Sequence, residues 1–273
     1  MRFSAAKTAE GLLPGWLARL ALPFAERIDA ILTTSDDRAE AGRLSLLAFF
    51  IRIGSAAIAF VSQVLLARWM GSFEYGIFVL VWTTVIIVGH LACLGFNTSI
   101  VRYIPEYREL GLLSHLRGVM AASRAFVLVT SCTIAGLGIL GIHLFSDVFE
   151  NYYIVPFYLG IVCLPMIALS DTLEGTARAN SWAVAALGPI YLLRPVLILV
   201  LMGAALLAGY GANAETAMTA AILATLGTTL FQLATILPTA HREVRDVRPA
   251  FRMREWVLVS LPIFLIEGFA FML

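Results

Sequence analysis

The sequence predicts an all-α membrane protein: a six-helix transmembrane bundle followed by a truncated seventh helix. Three observations carry this. Of 273 residues, 60% are hydrophobic and 14% are charged, and the mean hydropathy is +0.88. Soluble domains are about 45–50% apolar and about 25% charged, and a fold of this length has too little interior to hide the excess. The apolar residues are gathered into runs long enough to cross hydrocarbon as helices, which takes about 20 residues each. The basic residues between the runs alternate from side to side. This composition excludes a soluble enzyme, a nucleic-acid binder and a disordered chain. A net charge of +1 offers no field to recruit nucleic acid.

Six complete runs occupy residues 44–70, 76–96, 125–145, 152–170, 183–210 and 215–238. Lipid cannot satisfy backbone polar groups, and no run shows the period-2 patterning of a barrel strand, so each is read as a helix. The organisation that follows is an N-terminal extension at 1–43, a transmembrane lobe at 44–238, a basic loop at 239–256 and the last run at 257–273. That last run is short, carries Glu267 and has no flank after it. It is expected to be a helix cut short, with the chain as the front part of a longer protein.

Orientation follows from the positive-inside rule. The segment before the first run carries Arg2, Lys7, Arg19, Arg27, Arg38 and Arg43. The second connection carries Arg102, Arg108, Arg117 and Arg124, the fourth carries Arg178, and the sixth carries Arg242, Arg245, Arg248, Arg252 and Arg254. The first, third and fifth connections, around 71–75, 146–151 and 211–214, carry no Lys or Arg. The N-terminus and the long connections are therefore expected on the cytoplasmic side. Within the extension, 12–32 mixes Trp16, Leu20 and Phe24 with Arg19, Glu26 and Arg27, as an interfacial helix broken at Pro23 would. Residues 33–42 read as a polar linker.

Chemistry-bearing residues are few. Cys93, Cys132 and Cys163 have no paired or metal-type spacing and read as small buried side chains. Gly136, Gly138 and Gly141 spell a dinucleotide fingerprint, but they sit inside an apolar run without the required strand and turn. Close approach of a neighbouring helix is the better reading. No nucleophile–base set, P-loop or metal motif is visible, so neither catalytic residues nor a cofactor or metal is expected, and the protein is not read as an enzyme.

Intramembrane charge is the stronger signal, because an Arg near the bilayer centre costs at least about 2.5–3.5 kcal/mol. Arg194 lies eleven residues into the fifth run, roughly 16 Å deep at 1.5 Å per residue. It precedes Pro195 and follows Gly188–Pro189, two points where the helix weakens. Arg52 and His90 lie at matching depths in the first two runs and form either a cationic patch on a cavity or, respectively, a snorkelling cation and a packing hydrogen bond. Asp171, Glu174 and Arg178 share a helix face at the inner end of the fourth run. Thr225, Thr228, Thr229, Gln232 and Thr235 form one polar stripe on the sixth.

One stretch is more specific. Ala67-Arg68-Trp69-Met70-Gly71-Ser72-Phe73-Glu74-Tyr75-Gly76-Ile77-Phe78 resembles the signature of polysaccharide biosynthesis proteins of the lipid-linked oligosaccharide flippase family. The stretch from Gly95 to Glu106, with Asn97, Arg102 and Pro105, and the Leu-Leu-Arg-Pro-Val-Leu around Arg194 are similar to that family too. The resemblance spans about residues 44–273. It implies the multidrug/oligosaccharidyl-lipid/polysaccharide exporter superfamily, whose members have 12–14 helices in two lobes around a central cavity; this chain would be the first lobe. The implied substrate is a glycan on polyprenyl pyrophosphate, moved across the bacterial inner membrane. Membrane lipids, a polysaccharide polymerase and other assembly proteins are the implied partners. Arg52, His90 and Arg194 are then expected to hold the substrate. Arg68, Glu74, Tyr75, Gly76 and Arg102 match the motifs, with Arg68 and Glu74 expected as a structural or gating ion pair. Asp171, Glu174 and Glu267 are candidates for ion coupling. The alternatives are an ion-coupled drug or cation antiporter of the same superfamily and an inactive fragment.

Overall fold

A computed structural model describes residues 37–144 and 150–270. The interfacial helix expected at 12–32 lies outside the described residues. Among those described, every regular element is helical. The helices, in order, are α1 (Asp37–Leu91), α2 (Phe96–Glu109), α3 (Leu113–Leu144), α4 (Asn151–Val162), α5 (Leu164–Ala179), α6 (Ala183–Gly188), α7 (Arg194–Leu207), α8 (Ala214–Ala240) and α9 (Met253–Ala270). Among the described residues, five stretches are long and apolar enough to cross a membrane: Phe49–Leu91, Leu113–Leu144, Asn151–Ala179, Ala183–Leu207 and Ala214–Ala240. This is an all-α, multi-pass membrane protein. The chain divides into two units, Met1–Phe50 and Ile51–Leu273. The described part of the first is the opening of α1, which includes residues expected as a polar linker. The second holds the bundle.

The first membrane stretch is broken at one residue. Gly71 has φ 77° and ψ 170°, the only non-helical backbone inside α1. That conformation is strained for any residue with a Cβ. The sequence predicts a five-residue turn over 71–75. Only Gly71 leaves the helix, and Ser72 already begins the next arm, so both arms gain a turn of backbone hydrogen bonds. Gly76, the other motif glycine, is exposed, and a Cβ there would meet nothing within 4 Å.

Further boundaries shift for physical reasons. The second run ends at Leu91, five residues early, because Leu94 (φ 46°) and Gly95 (φ 78°) turn the chain left-handed. α2 follows as a separate amphipathic helix burying Phe96, Ile100, Tyr103, Ile104 and Tyr107. The third helix starts at Leu113, twelve residues before its apolar run, because the start of α3 is covered by protein rather than lipid: Leu116, Val119 and Met120 are buried. The fourth run continues to Ala179 across a break at Cys163, next to Pro165. The predicted weak point before Arg194 is real: Pro189–Leu193 forms a π-turn, where Pro189 and Pro195 remove donors from the helical ladder. The basic loop is shorter than 239–256, since α8 runs to Ala240 and α9 starts at Met253.

α5 is central, packing against α2, α3, α4, α6 and α8, while α8 also packs on α7 and α4, and α9 packs on α2. Two apolar cores result. One gathers Met70, Phe78, Val81, Ile167, Met202 and Met218. The other gathers Cys93, Phe96, Ile104, Met120, Ala168 and Trp256. In the glycine run only Gly138 meets the close-packing expectation, with Ile161 Cδ1 3.2 Å from an added Cβ; a Cβ on Gly136 or Gly141 would meet nothing within 4 Å. Cys93 and Cys163 are buried as expected, but Cys132 is exposed.

Candidate functional site

A polar layer lies beside the two cores. On α8 it is Thr225, Thr228, Thr229 and Gln232, all buried; Thr235, the last member of the predicted stripe, is exposed. On α5 it is Ser170 and Asp171, on α1 it is His90, and on α7 it is Arg194. Buried polar groups in a bundle must find partners, and here Arg194, Ser170 and Gln232 find one another while Thr228 and Thr229 turn to backbone carbonyls. Arg194 Nη2 donates to Ser170 Oγ at 3.0 Å, and Ser170 Oγ donates in turn to Gln232 Oε1. Thr229 Oγ1 donates to the Met166 carbonyl at 3.3 Å.

This layer borders a cavity of about 450 Å³. Its walls are Ser62, Gln63 and Leu66 from one arm of α1 and Tyr75, Phe78, Trp82, Thr83 and His90 from the other. Asp171 of α5, Tyr191 within the π-turn, and Arg194 and Pro195 just after it also line the cavity. That size and mix, apolar walls with a few convergent polar groups, suits a small-molecule or headgroup site. Two buried polar atoms on its wall, Ser62 Oγ and Arg194 Nε, have no hydrogen-bond partner among the described residues. Arg194 is 5% exposed. Among the described residues its hydrogen bond goes to a hydroxyl, and no carboxylate lies within ion-pair distance.

A second cluster adjoins the cavity. His90 Nδ1 lies 3.0 Å from Asp171 Oδ2. His90 Nε2 lies 3.3 Å from Asn97 Nδ2 and 3.8 Å from Glu267 Oε2. Thr98 Oγ1 donates to Glu267 Oε1. The structure thus joins residues from four helices, with Asp171 and Glu267 far from His90 in sequence.

The predicted residues fare unevenly. His90 and Arg194 both line the cavity. Arg52 is exposed and is not part of its wall. Asp171 and Glu267 meet at His90, and Tyr75 is on the wall. Asp171 makes no ion pair with Arg178; among the described residues it is Glu174 that pairs with that arginine, at 3.1 Å. Arg68 and Glu74 form no ion pair. Arg68 is exposed, while Glu74 Oε2 accepts the backbone N–H of Ala214 at 2.7 Å and so caps α8. Arg102 makes an exposed i,i+4 pair with Glu106 at 3.3 Å. Ser170 and Asn97 escaped the sequence reading. Asn97 lies inside the quoted Gly95–Glu106 stretch, but nothing in its neighbourhood marks it as facing His90. No family model, curated protein or solved structure matches this chain.

Proposed function

We propose that this protein moves polyprenyl-pyrophosphate-linked oligosaccharide units across the bacterial inner membrane, with the bundle serving as the first lobe of the exporter. The observation that carries the reading is Arg194. A guanidinium buried on a cavity wall in mid-span, bonded to a hydroxyl and with its Nε unpartnered, is a costly arrangement. A phosphate-bearing ligand offsets that cost, because arginine pairs with phosphate oxygens through charge-assisted hydrogen bonds. Translocation breaks no bond, so the site needs cations and a sheltered path, and it needs no nucleophile. Aromatic walls at Tyr75, Trp82 and Tyr191 suit the apolar faces of sugar rings.

The cytoplasmic N-terminus rests on the same reading. The turn between α2 and α3 and the loop between α8 and α9 meet at one end, where Arg108 pairs with Glu243 at 2.9 Å and Arg117 donates to the carbonyls of Arg245 and Val247. The exposed Arg102, Arg242, Arg245, Arg248, Arg252 and Arg254 belong to this end, and basic residues gather on the cytoplasmic side.

The test is made in the host cell. The locus is deleted, polyprenyl-linked glycans are labelled, and their leaflet is determined. Complete units trapped on the cytoplasmic face, with surface polysaccharide lost and restored by the intact gene, support the proposal. Unchanged intermediates with intact surface polysaccharide overturn it. Asp171 on the same wall favours a second reading, an antiporter of cationic drugs; sensitivity of the deletion strain to cationic compounds, with normal glycan export, would select it.

A further inference from the structure

α9 is fastened to the bundle at two levels: near its start Trp256 Nε1 donates to the Tyr107 hydroxyl at 2.9 Å, and further along a second fastening contains a titratable group. Its backbone meets the turn between α1 and α2 so closely that a Cβ on Gly95 would lie 2.3 Å from the Ser260 carbonyl oxygen. Ser99 Oγ and Ser260 Oγ share a hydrogen bond of 2.7 Å, and Thr98 donates to Glu267. Beside these contacts stands His90, with Asp171 of α5 on one ring nitrogen and Asn97 of α2 and Glu267 of α9 on the other.

We propose that His90 is a proton-operated latch on α9. Neutral histidine has one N–H and one lone pair. With the proton on Nδ1, the ring donates to Asp171 at 3.0 Å and Nε2 accepts from the Asn97 amide at 3.3 Å. Glu267 then sits 3.8 Å from Nε2, near enough for an ion pair and too far for a hydrogen bond. A second proton makes Nε2 a donor. Asn97 Nδ2 can no longer serve it, and Glu267 becomes the partner. The imidazolium then bridges two carboxylates on different helices and ties α9 to α5.

The carboxylates around the ring come from two helices. Asp171 and Glu174 act on His90 from α5, and Glu267 acts from α9. α2 contributes the neutral Asn97 and Thr98. Arg194 of α7 acts on Asp171. Histidine is the side chain whose ordinary titration falls near neutrality, so the latch would close as pH falls and loosen as pH rises. This inference does not depend on the nature of the substrate.

The test is hydrogen–deuterium exchange of the full chain in detergent between pH 5.5 and 8, corrected for the intrinsic pH dependence of exchange. Peptides covering 260–268 of the wild type should be about tenfold better protected at pH 5.5 than at pH 8, while peptides in α8 stay flat. H90Q should abolish that difference. So should E267Q, which keeps an acceptor for Thr98 but removes the charge; it therefore serves as an independent check if H90Q is poorly folded. Protection of 260–268 that does not vary with pH in the wild type overturns the latch. So does a tenfold difference that survives in either variant.

Discussion

Arg194 and Ser170 join two helices through a single hydrogen bond of 3.0 Å, and that bond places the guanidinium on the cavity wall instead of in lipid. Ser170 is itself held by Gln232, so three side chains from α5, α7 and α8 fix one charge at mid-span. On the proposed function, Arg194→Ala should abolish glycan export while protein level in the membrane holds. Arg194→Lys should retain a fraction of export, since an ammonium keeps the charge and loses the planar fork. Export at the wild-type rate in Arg194→Ala, measured by surface polysaccharide, would refute the role given to this residue.

The glycine requirement of the first turn belongs to Gly71 and not to Gly76. Gly71→Ala places a Cβ at φ 77° and should cost about 1–2 kcal/mol. Gly76→Ala, in open helical backbone, should be neutral or slightly stabilising. Paired thermal unfolding of the two variants in detergent checks the contrast.

Glu74 acts as a cap, so removing its oxygens should weaken the start of α8. Glu74→Ala leaves the Ala214 N–H without its acceptor and should destabilise by about 1 kcal/mol. Arg68→Ala should not reproduce the effect, since no ion pair joins the two. An equal loss in both variants, measured by Tm, would restore the ion-pair reading.

Gly175 allows α5 to touch α2. A Cβ there would lie 2.1 Å from the Asn97 carbonyl oxygen. Gly175→Ala must push the helices apart, at a cost of about 1–3 kcal/mol. It should also disturb the nearby His90 cluster. A wild-type Tm would show that the helices are not in contact there.

The end of the bundle where α3 meets the loop between α8 and α9 has its own pH dependence. Burial, followed by the Arg124 guanidinium beside it, pushes the His241 imidazole below its ordinary value of 6.5. Arg124 Nη2 donates to its Nε2 at 3.1 Å, which requires the neutral ring. The unfolded chain therefore binds more protons than the native one across this window, and stability rises with pH. Its contribution should be complete above about pH 6.5 and fall as pH drops towards the lowered native value. His241→Asn should flatten that part of the Tm profile between pH 5 and 7.

The helical membrane bundle was legible because hydrocarbon imposes it on any chain with these runs. Arg194 was legible for the same reason: a charge between Leu193 and Pro195 in an apolar run stands out against its neighbours. Arg52 stood out equally and is not on the cavity wall, since depth along a helix says nothing about which way a side chain faces. Asn97 and Ser170 did not stand out, because small polar residues are ordinary in membrane helices.

The lengths of the apolar runs, and the cost of leaving backbone groups unpaired in lipid, dictate helices and their approximate limits without reference to anything else in the chain. The pairing of His90 with Asp171 and Glu267, the capping of Ala214 by Glu74 and the hold of Ser170 on Arg194 join residues 24 to 177 positions apart. Such contacts depend on the rotation and crossing of each helix against its neighbours. Those are set by the close approach of small residues such as Gly95, Gly118 and Gly175, and packing of that kind leaves no periodic trace in the order of the amino acids.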